Sequence, residues 1–97
     1  MARFEIAEID NAALGANAGA DVFFELGMMY STGRSVPADL VIAHKWFNIA
    51  VMRGNKEAIG YRREIAAEMS EAEIAAAQRA ARDWLKASGR ADQRAAA

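Results

Sequence analysis

Residues 21–54 read DVFFELGMMYSTGRSVPADLVIAHKWFNIAVMRG, and this stretch decides the fold. Val22, Phe23, Leu26, Met29 and Tyr30 recur at the three-and-four spacing of a helix face. Asp21 stands where an N-cap is wanted, and Gly33 follows the last turn, where a left-handed residue ends helices. Pro37 pushes Val36 out of helical geometry, so residues 34–38 form a loop. Asp39 then caps a second helix, whose apolar positions are Ile42, Ala43, Trp46, Phe47, Ile49 and Ala50. Gly54 and Asn55 end it. The stretch therefore predicts two helices, 21–32 and 39–53, joined by a short loop and packed antiparallel.

Downstream the same period continues. A third helix is predicted over 56–69, with Ala58, Ile59, Tyr61, Ile65, Ala66 and Met69 on its inner stripe. Ser70 and Glu73 form a capping box for a fourth, 71–87, carrying Ile74, Ala77, Ala81, Trp84 and Leu85 on one side. Gly89 is read as its stop, and 90–97 as a disordered tail without large side chains. Upstream, Asp10 or Asn11 could cap a short helix near 10–18. Strand signals are weak throughout. The fold class is all-α, one domain over 1–89.

Composition agrees with that reading. The chain has 97 residues, 54% hydrophobic and 26% charged, with one Pro and no Cys. Disordered, collagen-like and disulfide-framed classes are excluded. Ala occurs 24 times, so much of the apolar content is small side chains that favour helix and bury little area. The net charge of −1 lacks the basic excess of a nucleic-acid binder. Glu5, Glu8 and Asp10 interrupt Phe4, Ile6 and Ile9, so residues 1–20 do not read as a signal peptide, and no stretch reads as a transmembrane helix. The expected location is the cytoplasm.

Leu26-Gly27, Tyr30, Gly33, Val36, Asp39, Ala43, Trp46-Phe47, Ala50 and Gly54 resemble one Sel-one-like repeat over about 20–54, in register at ten or more positions. That family belongs to the helix-turn-helix solenoids related to tetratricopeptide repeats. The resemblance implies an α-α solenoid fragment with a partial unit at 55–69 and a closing helix at 70–88. It also implies a protein–protein adaptor or scaffold, and carries over no catalytic residue. Gly27 would let the facing helix approach closely, and Trp46 and Tyr30 would fill the space between the pair, their polar atoms finding partners. Ser35 and Val51 depart from the pattern, as does Val22, and Arg62-Arg63 replace the next Leu-Gly. Such repeats need about three units to bury their faces, so the terminal helices must cap the stack or a second chain must complete it.

The residues that could carry chemistry are few. His44 is the only histidine, with Asn48 one turn on and no acid at three or four residues' distance, which reads as a surface or half-buried structural histidine rather than a metal ligand. Glu64 and Glu68 lie one turn apart beside Arg62 and Arg63, the pattern of a solvated face. Arg53, Lys56, Arg62 and Arg63 interleave with Glu57 and Glu64 as a mixed-charge surface. No nucleophile–base set or phosphate loop occurs, so no catalytic residue, metal or cofactor is expected.

Phe24 and Met28 fall opposite the apolar face of the first helix, one turn apart. Either the N-terminal Phe4, Ile6, Ile9 and Leu14 cover them, or they form a docking patch with Glu25 and Thr32 at its rim. The leading expectation is thus a non-enzymatic adaptor for another protein. A structural accessory subunit or homo-oligomer is the alternative, and a nucleic-acid-binding helical module a remote one.

Overall fold

In the computed structural model the described residues are 19–96, with side chains described as far as Gly89. Among them four helices form and no strand: α1 (Ala20–Thr32), α2 (Leu40–Met52), α3 (Glu57–Ala66) and α4 (Glu71–Ala96). The expected helix near 10–18, and the Phe4, Ile6, Ile9 and Leu14 cover, lie outside the described residues.

Local signals set most of the boundaries. α1 ends on Gly33 at φ 78°, with the Gly33 and Arg34 amides both donating to the Met29 carbonyl. The Asp39 amide donates to the Tyr30 carbonyl at 2.9 Å, drawing the loop shut, and the Ile42 amide donates to Asp39 Oδ1 at 3.1 Å. α2 closes with the Gly54 amide on the Val51 carbonyl and the Asn55 amide on the Ala50 carbonyl, a Schellman motif around Gly54 at φ 108°. The Ser70–Glu73 box is reciprocal: the Ser70 amide donates to Glu73 Oε1 at 2.8 Å, and the Glu73 amide to Ser70 Oγ at 3.1 Å.

Three boundaries differ from expectation, the simplest being that α3, expected to reach residue 69, closes at Ala66. Asp21 does not cap α1. The helix starts at Ala20 behind Gly19, and Asp21 Oδ1 instead accepts from Asn55 Nδ2 at 3.3 Å. Asn55 Oδ1 in turn accepts from the Ala58 amide, so one side chain caps α3 and ties it to the start of α1. Gly89 does not stop the last helix, which runs to Ala96. A helical Gly costs about 1 kcal/mol relative to Ala, and the Ala- and Arg-rich residues after it are strong helix formers.

α1 and α2 are antiparallel, since the Tyr30–Asp39 bond joins their near ends and the Asp21–Asn55 bond their far ends. α2 is the central element, with α1, α3 and α4 all packed on it. The core is built from two aromatic triads. Phe23 stacks on Trp46 with centroids 5.7 Å apart, and Trp84 of α4 meets both edge-on at 5.2 and 5.6 Å. Phe24 and Phe47 lie 5.9 Å apart, and Tyr61 of α3 touches them at 5.4 and 5.9 Å.

The apolar face of α1 is therefore rotated from the expected one. Phe23, Leu26, Gly27 and Tyr30 are buried, while Val22 is 40% exposed. Gly27 marks the centre of that face, and having no side chain it gave no apolar signal. Trp46 is fully buried as expected, with Phe23 of α1 and Trp84 of α4 as its aromatic neighbours. Among the described residues its Nε1–H finds no hydrogen-bond partner, where one was expected.

Candidate functional site

The open side of α2 carries the candidate site. Three of its faces are taken by α1, α3 and α4, and Asn48 and Met52 emerge on the remaining one. With Gln78, Ala81 and Arg82 of α4 they line an open groove of about 330 Å³. Met52 is 68% exposed, the most exposed large apolar side chain described. Two apolar side chains among two amides and a guanidinium, in an open groove, suit a partner side chain or a short segment better than a small metabolite, which needs an enclosed pocket.

A polar chain runs from this groove into the protein. Asn48 Oδ1 accepts from Arg62 Nη1 of α3 at 2.7 Å, and Asn48 Nδ2 lies 3.2 Å from Nδ1 of His44. His44 is buried. Burial of the ring, then the Arg62 guanidinium, hold it below its ordinary value of 6.5, against an opposing backbone hydrogen bond. The sequence suggests a surface or half-buried histidine; the ring is instead buried and hydrogen-bonded within the fold. The partners that orient it are Asn48 and, from the next helix, Arg62. Arg62 reaches across from α3 to α2.

The patch expected on α1 is brought together but is not bare. Phe24 is half-buried against Phe47 and Tyr61, and Met28 is half-buried against the core. Glu25 Oε1 pairs with Arg34 Nη2 at 3.3 Å, both side chains well exposed. Thr32 Oγ1 donates to the Met28 carbonyl at 2.8 Å and accepts from the Arg34 amide at 3.3 Å. All four residues lie along one side of α1, but α3 occupies the Phe24 end of it.

Cations border the first aromatic triad. Lys45 Nζ lies 4.2 Å from the centre of the Trp46 ring, and the Arg53 guanidinium lies 5.6 Å from Phe23 and 5.9 Å from Trp84. Their aliphatic stems cover ring surface while the charges stay near water. Among the described residues no group of three His, Asp or Glu could hold a metal ion. No described helix is long and apolar enough to cross a membrane.

Compared with family models, with curated proteins and with solved structures, the chain matches none.

Proposed function

We propose that this chain is a non-enzymatic protein-interaction module of the Sel-one-like repeat kind, and that the groove between α2 and α4 receives a segment of its partner. The observation that carries the reading is Met52, a large apolar side chain standing 68% exposed in a groove otherwise lined by Asn48, Gln78, Ala81 and Arg82. Met adapts to irregular partner surfaces, and a neighbouring Arg gives such a contact direction. A partner segment offering an apolar side chain beside a carboxylate fits both.

Three features support the helix-pair part of the reading. The position expected to permit close approach, Gly27, faces Phe47 so tightly that a Cβ there would lie 2.9 Å from its Cγ. Ser35, where the repeat pattern has a second loop Gly, adopts φ 72°, the conformation glycine favours. Asp39 caps the second helix.

Site-specific photocrosslinking tests the proposal. A crosslinking amino acid at Met52 or Gln78 should trap one and the same partner in the native cell. The same group at exposed Glu71 should not, and Arg82→Glu should weaken trapping from Met52. Equal trapping at all three positions, or none at Met52 and Gln78, refutes the groove as the docking surface.

A further inference from the structure

His44 is 3% exposed, and it is joined to a second helix through a single amide. Arg62 has only donors, so Asn48 must turn its oxygen toward α3, where it accepts at 2.7 Å. Its NH₂ is then fixed toward His44, and Nδ1 at 3.2 Å can only be the acceptor. The hydrogen bonds thus assign the ring as neutral, with its proton on Nε2.

We propose that the His44–Asn48–Arg62 chain is a proton-operated latch, which holds α3 on α2 while His44 is neutral and lets α3 loosen when His44 takes up a proton. A proton on Nδ1 would face the Asn48 NH₂, donor against donor. Rotating the amide by half a turn would satisfy His44, but would then turn the NH₂ toward the Arg62 guanidinium, again donor against donor. One amide oxygen cannot serve both sides, so one link breaks in either orientation. The element most exposed to that loss is α3. It has ten residues, packs chiefly on α2, and buries only Ala58 and Ile65.

The charged groups around the ring set the direction. Among the described residues, the charge that acts on His44 is Arg62 of α3. On α2 itself Lys45 sits over Trp46, on α1 Glu25 is drawn to Arg34, and on α4 Arg82 lines the groove beside Asn48. The folded protein therefore favours the neutral ring, whereas the unfolded chain protonates near the ordinary 6.5. The stabilisation is complete above that pH. It falls as the pH drops from there toward the lower folded value, by up to about tenfold in the opening equilibrium per pH unit. The latch rests on contacts between α2 and α3, and its test needs no partner in the groove.

Amide hydrogen exchange of the full chain between pH 7.5 and 5 tests it. The α3 amides are compared with those of α1 and α2 in the same sample, which cancels the intrinsic pH dependence of exchange. In the wild type, α3 protection should fall relative to α1 and α2 as the pH drops below about 6.5. His44→Gln keeps an acceptor for the Asn48 NH₂ without a titrating group, and should be flat. Asn48→Asp supplies a carboxylate that accepts from both a protonated His44 and Arg62, so α3 protection should instead rise as the pH falls. If Asn48→Asp does not fold, the contrast between wild type and His44→Gln decides. Unchanged α3 protection in the wild type, an equal loss in all helices, or a wild-type slope in either variant overturns the latch.

Discussion

The same substitution at two glycines should shift stability in opposite directions. Gly27 and Gly60 both lie inside helices, and replacing a helical Gly by Ala gains about 1 kcal/mol of helix propensity. At Gly60 the site is exposed, and an added Cβ meets no atom within 4 Å. The whole gain should appear, raising Tm by about 4–8 °C in a domain of this size. At Gly27 the added Cβ would lie 2.5 Å from Cδ1 and 2.9 Å from Cγ of Phe47. Ordinary carbon contacts begin near 3.5 Å, so the ring must retreat by roughly 1 Å. It has little room to do so. Phe47 is fully buried, with Phe24 and Tyr61 each 5.9 Å away.

Overpacking of this kind costs about 1–3 kcal/mol, and a ring held on both sides belongs at the upper end. Subtracting the propensity gain leaves Gly27→Ala about 2 kcal/mol less stable than the parent, a fall of roughly 8–16 °C. The difference between the two alanine variants, about 3 kcal/mol, is then the clash alone, because propensity cancels. Urea melts followed by far-UV circular dichroism measure it. Adding Phe47→Leu should make Gly27→Ala cheaper by at least about 1 kcal/mol, since a smaller side chain relieves the contact. If Gly27→Ala stabilises the protein as much as Gly60→Ala does, the close approach of α1 and α2 is not set at Gly27.

Other perturbations test other links. Trp46→Ala removes the largest fully buried side chain and should cost about 3–5 kcal/mol, so a variant melting within a few degrees of the parent would show the core to be misplaced. Ser35→Gly should stabilise by about 0.5–1 kcal/mol, because relief of a left-handed Ser exceeds the extra freedom of Gly in the unfolded chain; a lower Tm would contradict that loop geometry. Phe24→Ser with Met28→Ser should lower stability by about 2–4 kcal/mol, since Phe24 packs on Phe47 and Tyr61. Unchanged melting would mark the pair as free surface. Titrating Zn²⁺, Mg²⁺ or nucleotides should leave Tm where it is, and a concentration-dependent rise would replace the adaptor reading with an enzyme or sensor.

Signals that act within a turn or two were legible from the residues alone. Asp39, Gly33, Gly54 and the Ser70–Glu73 box each satisfy or terminate a helix end through neighbours in sequence, and each does so in the structure. Signals that depend on a distant partner were not. Asp21 looked like a cap because it precedes an apolar run, but its partner is Asn55, across the helix pair. The environment of His44 could not be read by searching one turn either side for an acid, because the group that completes it is Arg62, on another helix. Gly89 looked like a stop because glycine often is one, yet the residues around it favour continuing the helix.

The two aromatic doublets explain why one face of α2 stays open. Adjacent residues on a helix point about 100° apart, so neither Phe23-Phe24 nor Trp46-Phe47 can serve a single neighbour. Phe23 and Trp46 point to one side and are closed by Trp84 of α4, while Phe24 and Phe47 point to the other and are closed by Tyr61 of α3. A single apolar face on α1 was the wrong expectation for that reason: Phe24 lies off the Phe23 face because it belongs to a second one. With α1 between the two triads and a further helix on each flank, α2 retains only the sector bearing Asn48 and Met52. The exposed Met52 thus follows from how the doublets divide the packing. The polar chain to His44 enters at that same sector through Asn48, so the groove proposed to take a partner and the latch proposed to hold α3 share one side chain.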